Sequence, residues 1–170
     1  MKVVFLDIDG VICTVRSFAR EDRVPMPDEI HLPFRNRFWD RLDEECIERL
    51  NRITDATGAK IVISSSWRHV CEGDNDKLKY LADYIKSEGV TADIISMTPS
   101  HQKLSAPRGY AGRGAEIQEW LDTEGADVTA FVILDDVNDM RHLEHKLVLT
   151  PYETGIGEEH VEPAIRMLNE

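Results

Sequence analysis

A parallel α/β sheet with helices on both faces is the fold that three observations predict for this chain of 170 residues. Short β-prone apolar runs recur five times, stretches with apolar residues at helical spacing lie between them, and a glycine closes most of those stretches. The length fits a single domain over residues 1–170 carrying at most a small insertion, long enough to bury a core without covalent staples.

Val3-Val4-Phe5-Leu6 comes first, too short for a helix and apolar throughout, as a buried central strand should be. Residues 11 to about 42 break the rhythm. They hold Pro25, Pro27 and Pro33, the aromatic cluster Phe34, Phe38 and Trp39, and no clear period. This predicts a flap or small cap over about 13–42, inserted after the first strand, and loops this long are usually functional. Cys46, Ile47, Leu50 and Ile53 then predict a helix ended by Gly58, followed by a second strand over Lys60–Ser64. Leu78, Leu81, Tyr84 and Ile85 mark the next helix, ended by Gly89, and Ala92–Ser96 the third strand. Ile117, Trp120 and Leu121 mark a helix ended by Gly125, before a fourth strand at Ala130–Leu134 and a fifth at Lys146–Leu149. Val161, Ile165 and Leu168 predict a terminal helix.

Composition excludes several function classes. With 32 acidic against 20 basic side chains, the net charge is -12, which argues against indiscriminate binding to nucleic acid or anionic membrane. It leaves room for a local basic site. At 42% hydrophobic and 31% charged residues the chain is not disordered. Cys13, Cys46 and Cys71 are scattered and form no CxxC pair, the pattern of free thiols in a reducing compartment. The first apolar run ends in carboxylates after four residues, too short for a signal peptide or a membrane span. A cytoplasmic setting without a membrane partner is expected.

The most informative feature is where the acids sit. Asp7 directly follows the first strand, Asp9 stands two residues on, and Gly10 permits a sharp turn; Asp135 and Asp136 follow the fourth strand. In an open α/β sheet the ligand site lies beyond the carboxyl ends of the strands. If the two strands are neighbours, both acid pairs converge, and a divalent cation with oxygen ligands is their natural occupant. Magnesium, which keeps waters and brings in phosphate, suits such a set. A carboxylate beside it can attack phosphorus, and a second can protonate the leaving oxygen and then activate water. Asp7 suits the nucleophile and Asp9 the acid/base. The second strand ends Ser64-Ser65-Ser66-Trp67-Arg68, where a serine could hydrogen-bond a phosphoryl oxygen and Arg68 clamp it. The same serines could instead cap a following helix. Arg113 begins a helix, where a cation opposes the dipole and so hints at an anionic partner.

Taken in order, DIDGV after an apolar strand, a hydroxyl residue ending the second strand, a basic residue at a helix start and LDD at a later strand end resemble the four motifs of the haloacid dehalogenase superfamily. ISSSWR, GRGAEIQEWL and FVILDD look most like its small capless phosphatases, akin to the phosphatase domains of polynucleotide kinase-phosphatases and RNA-repair proteins. The resemblance implies a Rossmann-like three-layer sandwich with no large cap and strand order five-four-one-two-three. It implies Asp7 as nucleophile, Asp9 as acid/base, and magnesium held by Asp7, the Asp9 carbonyl and Asp136, with Asp135 and Gly10 in support. Ser65 or Ser66 would bind the phosphoryl group beside Arg68, and Arg113 would stand where lysine is usual. Val11 departs from the usual threonine after DxDG.

The inserted segment carries six arginines (16, 20, 23, 35, 37 and 41) against five acids, together with Phe18, Phe34, Phe38 and Trp39. Cations and stacking rings suit a nucleotide or the terminal phosphate of a nucleic acid. The alternatives are that these groups only pack and pair with one another, or that the ester is a small non-nucleotide metabolite. A phosphoacceptor signalling module fits poorly, since its acceptor acid follows the third strand, which here ends Ser96-Met97-Thr98. A binding domain without turnover fits poorly with both Asp7 and Asp9 present. His69, His101, His142 and His145 lack metal-ligand spacing, and Cys13 is expected to be an idle thiol.

Overall fold

Alternation along one strand sets the layers. In a strand successive side chains face opposite ways, and in β1 (Lys2–Leu6) Val3 and Phe5 enter one core while Val4 and Leu6 enter the other. The computed structural model describes residues 1–28, 30, 38–71, 75–100 and 112–170. Phe34, Arg35, Arg37, His101 and the stretch 109–111 lie outside the described residues.

The main sheet is parallel, with β4 (Lys60–Ile63) and β6 (Ala130–Asp135) flanking β1, and β5 (Ile94–Met97) and β7 (Leu147–Leu149) at the edges. The order is β5-β4-β1-β6-β7. Its numerals depart from five-four-one-two-three because two short strands of the insertion, β2 (Val24–Pro25) and β3 (Phe38–Trp39), enter the count after β1. Register places Leu6 beside both Ile63 and Leu134, so the three central strands end level.

The larger core lies under α2 (Glu44–Thr57), α3 (Asn75–Ser87) and α5 (Glu158–Asn169), with Leu50, Ile53, Leu81, Ile85 and Leu168 buried in it. α4 (Arg113–Thr123) covers the opposite face, where Trp120 meets Phe5 edge-on at 5.4 Å. Asp43 caps α2 by accepting from the Glu45 N–H, and Gly58 ends it in the left-handed conformation at φ 68°. Among the described residues no helix is long and apolar enough to cross a membrane.

The insertion is anchored at both ends. At its start, α1 (Val15–Phe18) is tied to α2: Thr14 Oγ1 and Arg16 both donate to Asp43. Burial opposes ionisation of Asp43, yet these bonds hold its carboxyl below the usual range. At its end, Trp39 stacks on Tyr84 of α3 at 4.7 Å, and Glu88, just past the end of that helix, accepts from Arg41 and from the Leu42 N–H. Each described arginine of the segment is paired: Arg16 with Asp43 and Glu45, Arg20 with Asp22 and Glu44, Arg23 with Asp40, Arg41 with Asp22 and Glu88. The positive overhang expected of them is thereby neutralised locally, because each lies within reach of an acid that the fold brings alongside.

Candidate active site

The alternation that builds the smaller core continues past the strand ends. Asp7 extends the Val3–Phe5 row, Ser64 the row of Val62, and Asp135 the row of Phe131 and Ile133. Asp7 N–H donates to the Leu134 carbonyl at 3.0 Å and Ser64 N–H to the Leu6 carbonyl at 2.9 Å, so these residues stay level. All three therefore belong to the side that α4 covers. Asp7 is 5% and Asp135 1% exposed.

α4 delivers its first residue into this row. Gly112 caps it at φ 82°, and a Cβ on Gly114 would lie 2.2 Å from the Met140 carbonyl, so only glycine lets the helix start this close to the β6 loop. Arg113 Nη1 consequently stands 3.3 Å from Asp7 Oδ1 and 3.3 Å from Asp135 Oδ2, and donates to the Ser64 carbonyl. The anionic partners that its position at a helix start hinted at include these two carboxylates.

Asp7, Asp135 and Asp136 each offer a carboxylate oxygen within 4.8 Å of the others. Burial, and then the charge of Asp7, pushes the Asp135 carboxyl up to about 7, and the same causes raise that of Asp136. Three carboxylates gathered this closely are a donor set suited to a hard divalent cation. Asp136 packs against Gly10, where a Cβ would lie 2.7 Å from its Cγ and where φ is 73°. The Gly10 turn is braced from far along the chain: Thr150 Oγ1 donates to the Gly10 carbonyl at 2.8 Å and Ile156 N–H to that of Val11 at 3.0 Å.

Asp9 is not a member of the three-carboxylate cluster. Both of its oxygens accept from Trp67 Nε1, each at 3.0 Å. The indole is nearly parallel to Tyr84, which stacks in turn on Trp39. Beside Asp9 opens a cavity of about 270 Å³, lined by aromatic side chains of the insertion, Trp67 and Tyr152.

The serines divide their tasks. Ser65 caps the 3-10 turn at Ser66–Val70, accepting from the Trp67 N–H at 3.3 Å, which leaves its hydroxyl proton to donate. Ser66 is half-buried at the head of that turn. Ser64, to which the resemblance assigns no role, is buried with a hydroxyl that finds no partner among the described residues. Strand register alone would have found it, since it stands across from Asp7.

Arg68 departs from expectation. Its guanidinium donates to the Ser64 and Ser65 carbonyls and to Glu116 of α4, and the pair is 4% and 0% exposed. Its placement is that of a brace between the β4 end and α4, in place of the expected phosphate clamp. The reason is Glu116, a buried acid that composition could not distinguish from a surface one. His142 and His145 make only exposed contacts, with Gln118 and the His142 carbonyl. Burial pushes the Cys13 thiol up to about 12, which leaves it inert as a nucleophile.

A sequence-family model described as the HAD domain in Swiss Army Knife RNA repair proteins matches residues 3–161. No curated protein matches the chain.

Proposed function

Because the chain belongs to the family of HAD domains in Swiss Army Knife RNA repair proteins, and that membership supports a phosphatase-type activity, we propose that it is a magnesium-dependent phosphomonoester hydrolase working through an aspartyl-phosphate. One observation carries this reading. Asp7 lies among two further carboxylates and Arg113, while Asp9, two residues on, stands outside that group and accepts from Trp67.

The roles follow from these positions. Asp7 Oδ attacks phosphorus and forms the new P–O bond. The ester P–O bond breaks, and the departing oxygen takes its proton from Asp9. Asp9 then removes a proton from water, whose oxygen attacks the same phosphorus and releases Asp7 as carboxylate. Asp7 and Asp136, with the Asp9 backbone carbonyl, would hold magnesium, and Asp135 is a third carboxylate within reach. When bound, the ion neutralises charge on the transferring phosphoryl group. Arg113 adds a fixed cation beside Asp7, and the hydroxyls of Ser64, Ser65 or Ser66 supply donors to phosphoryl oxygens. The substrate in this reading is a nucleotide or the terminal phosphate of a nucleic acid.

A panel of phosphate esters, with and without magnesium, on wild type and Asp7→Asn tests the proposal. The expected result is magnesium-dependent turnover that drops by at least about a thousandfold in the variant at unchanged thermal stability. A variant that keeps wild-type rates would overturn it. Comparable rates on a 3'-phosphorylated oligonucleotide and on simple sugar phosphates would leave the hydrolase and remove the nucleic-acid substrate.

A further inference from the structure

The cavity beside Asp9 has a location, a size and a lining that together specify an occupant. Asp9 is one of its walls. Under the proposed reaction the departing oxygen must come to Asp9, so what fills the cavity is attached to that oxygen through a few bonds. It is the leaving group, on the far side from the phosphoryl oxygens. A volume of about 270 Å³ is too large for a water or a hydroxymethyl group alone.

The walls are rings. Trp39 and Trp67 are buried in the stack with Tyr84, whereas Phe38 and Tyr152 are each about half exposed, at 48% and 47%. Phe18 leans on Tyr152 at 6.4 Å between ring centroids. Five of the ten lining residues are aromatic, and against their faces a polyhydroxylated leaving group would lose hydration. A flat group with apolar faces and a few polar edge atoms would lose little. Polar complements for such edges are present: Asp9 and the Arg23–Asp40 pair line the cavity, and the buried indole N–H of Trp39 has no acceptor among the described residues. Phe38 and Tyr152 are half-exposed rings of the lining, the residue type on which a base stacks.

We propose that this cavity receives the nucleobase of the nucleotide whose phosphate is cleaved, so that the protein reads one terminal nucleotide and no extended strand. This rests on the phosphohydrolase reading above. The paired arginines of the insertion and the net charge of -12 agree with it, because a long polyanion would find no continuous basic track among the described residues.

The test compares two short 3'-phosphorylated oligonucleotides that differ only in whether the terminal residue carries a base or is abasic. Binding to Asp7→Asn is followed by quenching of tryptophan fluorescence, and kcat/KM is measured on wild type. The expected result is about tenfold weaker binding and a similar loss of kcat/KM for the abasic substrate, the usual scale of one base stacked on aromatic rings. Phe38→Ala and Tyr152→Ala, both at half-exposed positions, should each weaken binding of the base-bearing substrate and leave the abasic one unchanged. Equal binding of the two oligonucleotides, or of neither, overturns the base site. Absence of turnover on every ester overturns the phosphohydrolase reading, while the binding arm still decides the cavity.

Discussion

At the scale of single residues, Trp67 is the side chain that joins Asp9 to the neighbouring cavity. One indole N–H serves both oxygens of Asp9, which fixes the carboxylate plane, while the ring itself closes part of the neighbouring cavity. Trp67→Phe separates the two duties, since it keeps a ring beside Tyr84 and removes the donor. A hydrogen bond to a charged group is worth about 1.5–3 kcal/mol. The expected outcome is therefore a fall in kcat of about tenfold or more with KM nearly unchanged, measured by steady-state kinetics on a base-bearing substrate. A rise in KM at constant kcat would mean that the indole contacts substrate and does not position the acid.

At the scale of elements, the site is held by a lock between the end of β4 and α4. Arg68 and Glu116 are both buried, and removing the charge from one leaves the other uncompensated in a dry environment. Glu116→Gln should cost about 3–5 kcal/mol of stability, read from urea unfolding. Arg68→Ala should lose stability on a similar scale; a variant that stays as stable and only loses affinity for phosphate would restore the clamp reading. This contrast also shows what could be read in the chain beforehand. Asp7 and Asp135 were legible because a carboxylate abutting a buried run is a local pattern. The strands and main helices were legible because apolar spacing is local too. Ser64, Trp67 and Glu116 were not, because each acquires its meaning from a residue on another element: Ser64 across from Asp7, Trp67 at Asp9, Glu116 at Arg68. The insertion was visible only as broken periodicity. Its two-residue strands and the docking of Trp39 on Tyr84 depend on contacts that no window of sequence contains.

At the scale of the whole molecule, the carboxylate cluster couples folding to protons and metal. Asp135 binds its proton up to about pH 7 in the fold and releases it near its ordinary value of 3.8 when unfolded. Between those values the folded state holds more protons, so this group favours folding at acid pH and its contribution is lost as pH rises through about 7. A divalent cation reverses the penalty by taking the place of the proton. Magnesium should therefore raise the melting temperature more at pH 8 than at pH 5, in scans with added magnesium against a chelator. An equal rise at both values would disconnect the cation from these acids. The long-range brace on the Gly10 turn carries a further consequence, in the time of synthesis. Asp7 is made well before Thr150 and Ile156, which secure the Gly10 turn beside it. At roughly 5–20 residues per second, some 7–30 seconds separate the two on the ribosome. For most of that interval the strand bearing Asp7 lacks its β6 neighbour, so the emerging chain carries Asp7 without the acids that surround it in the fold.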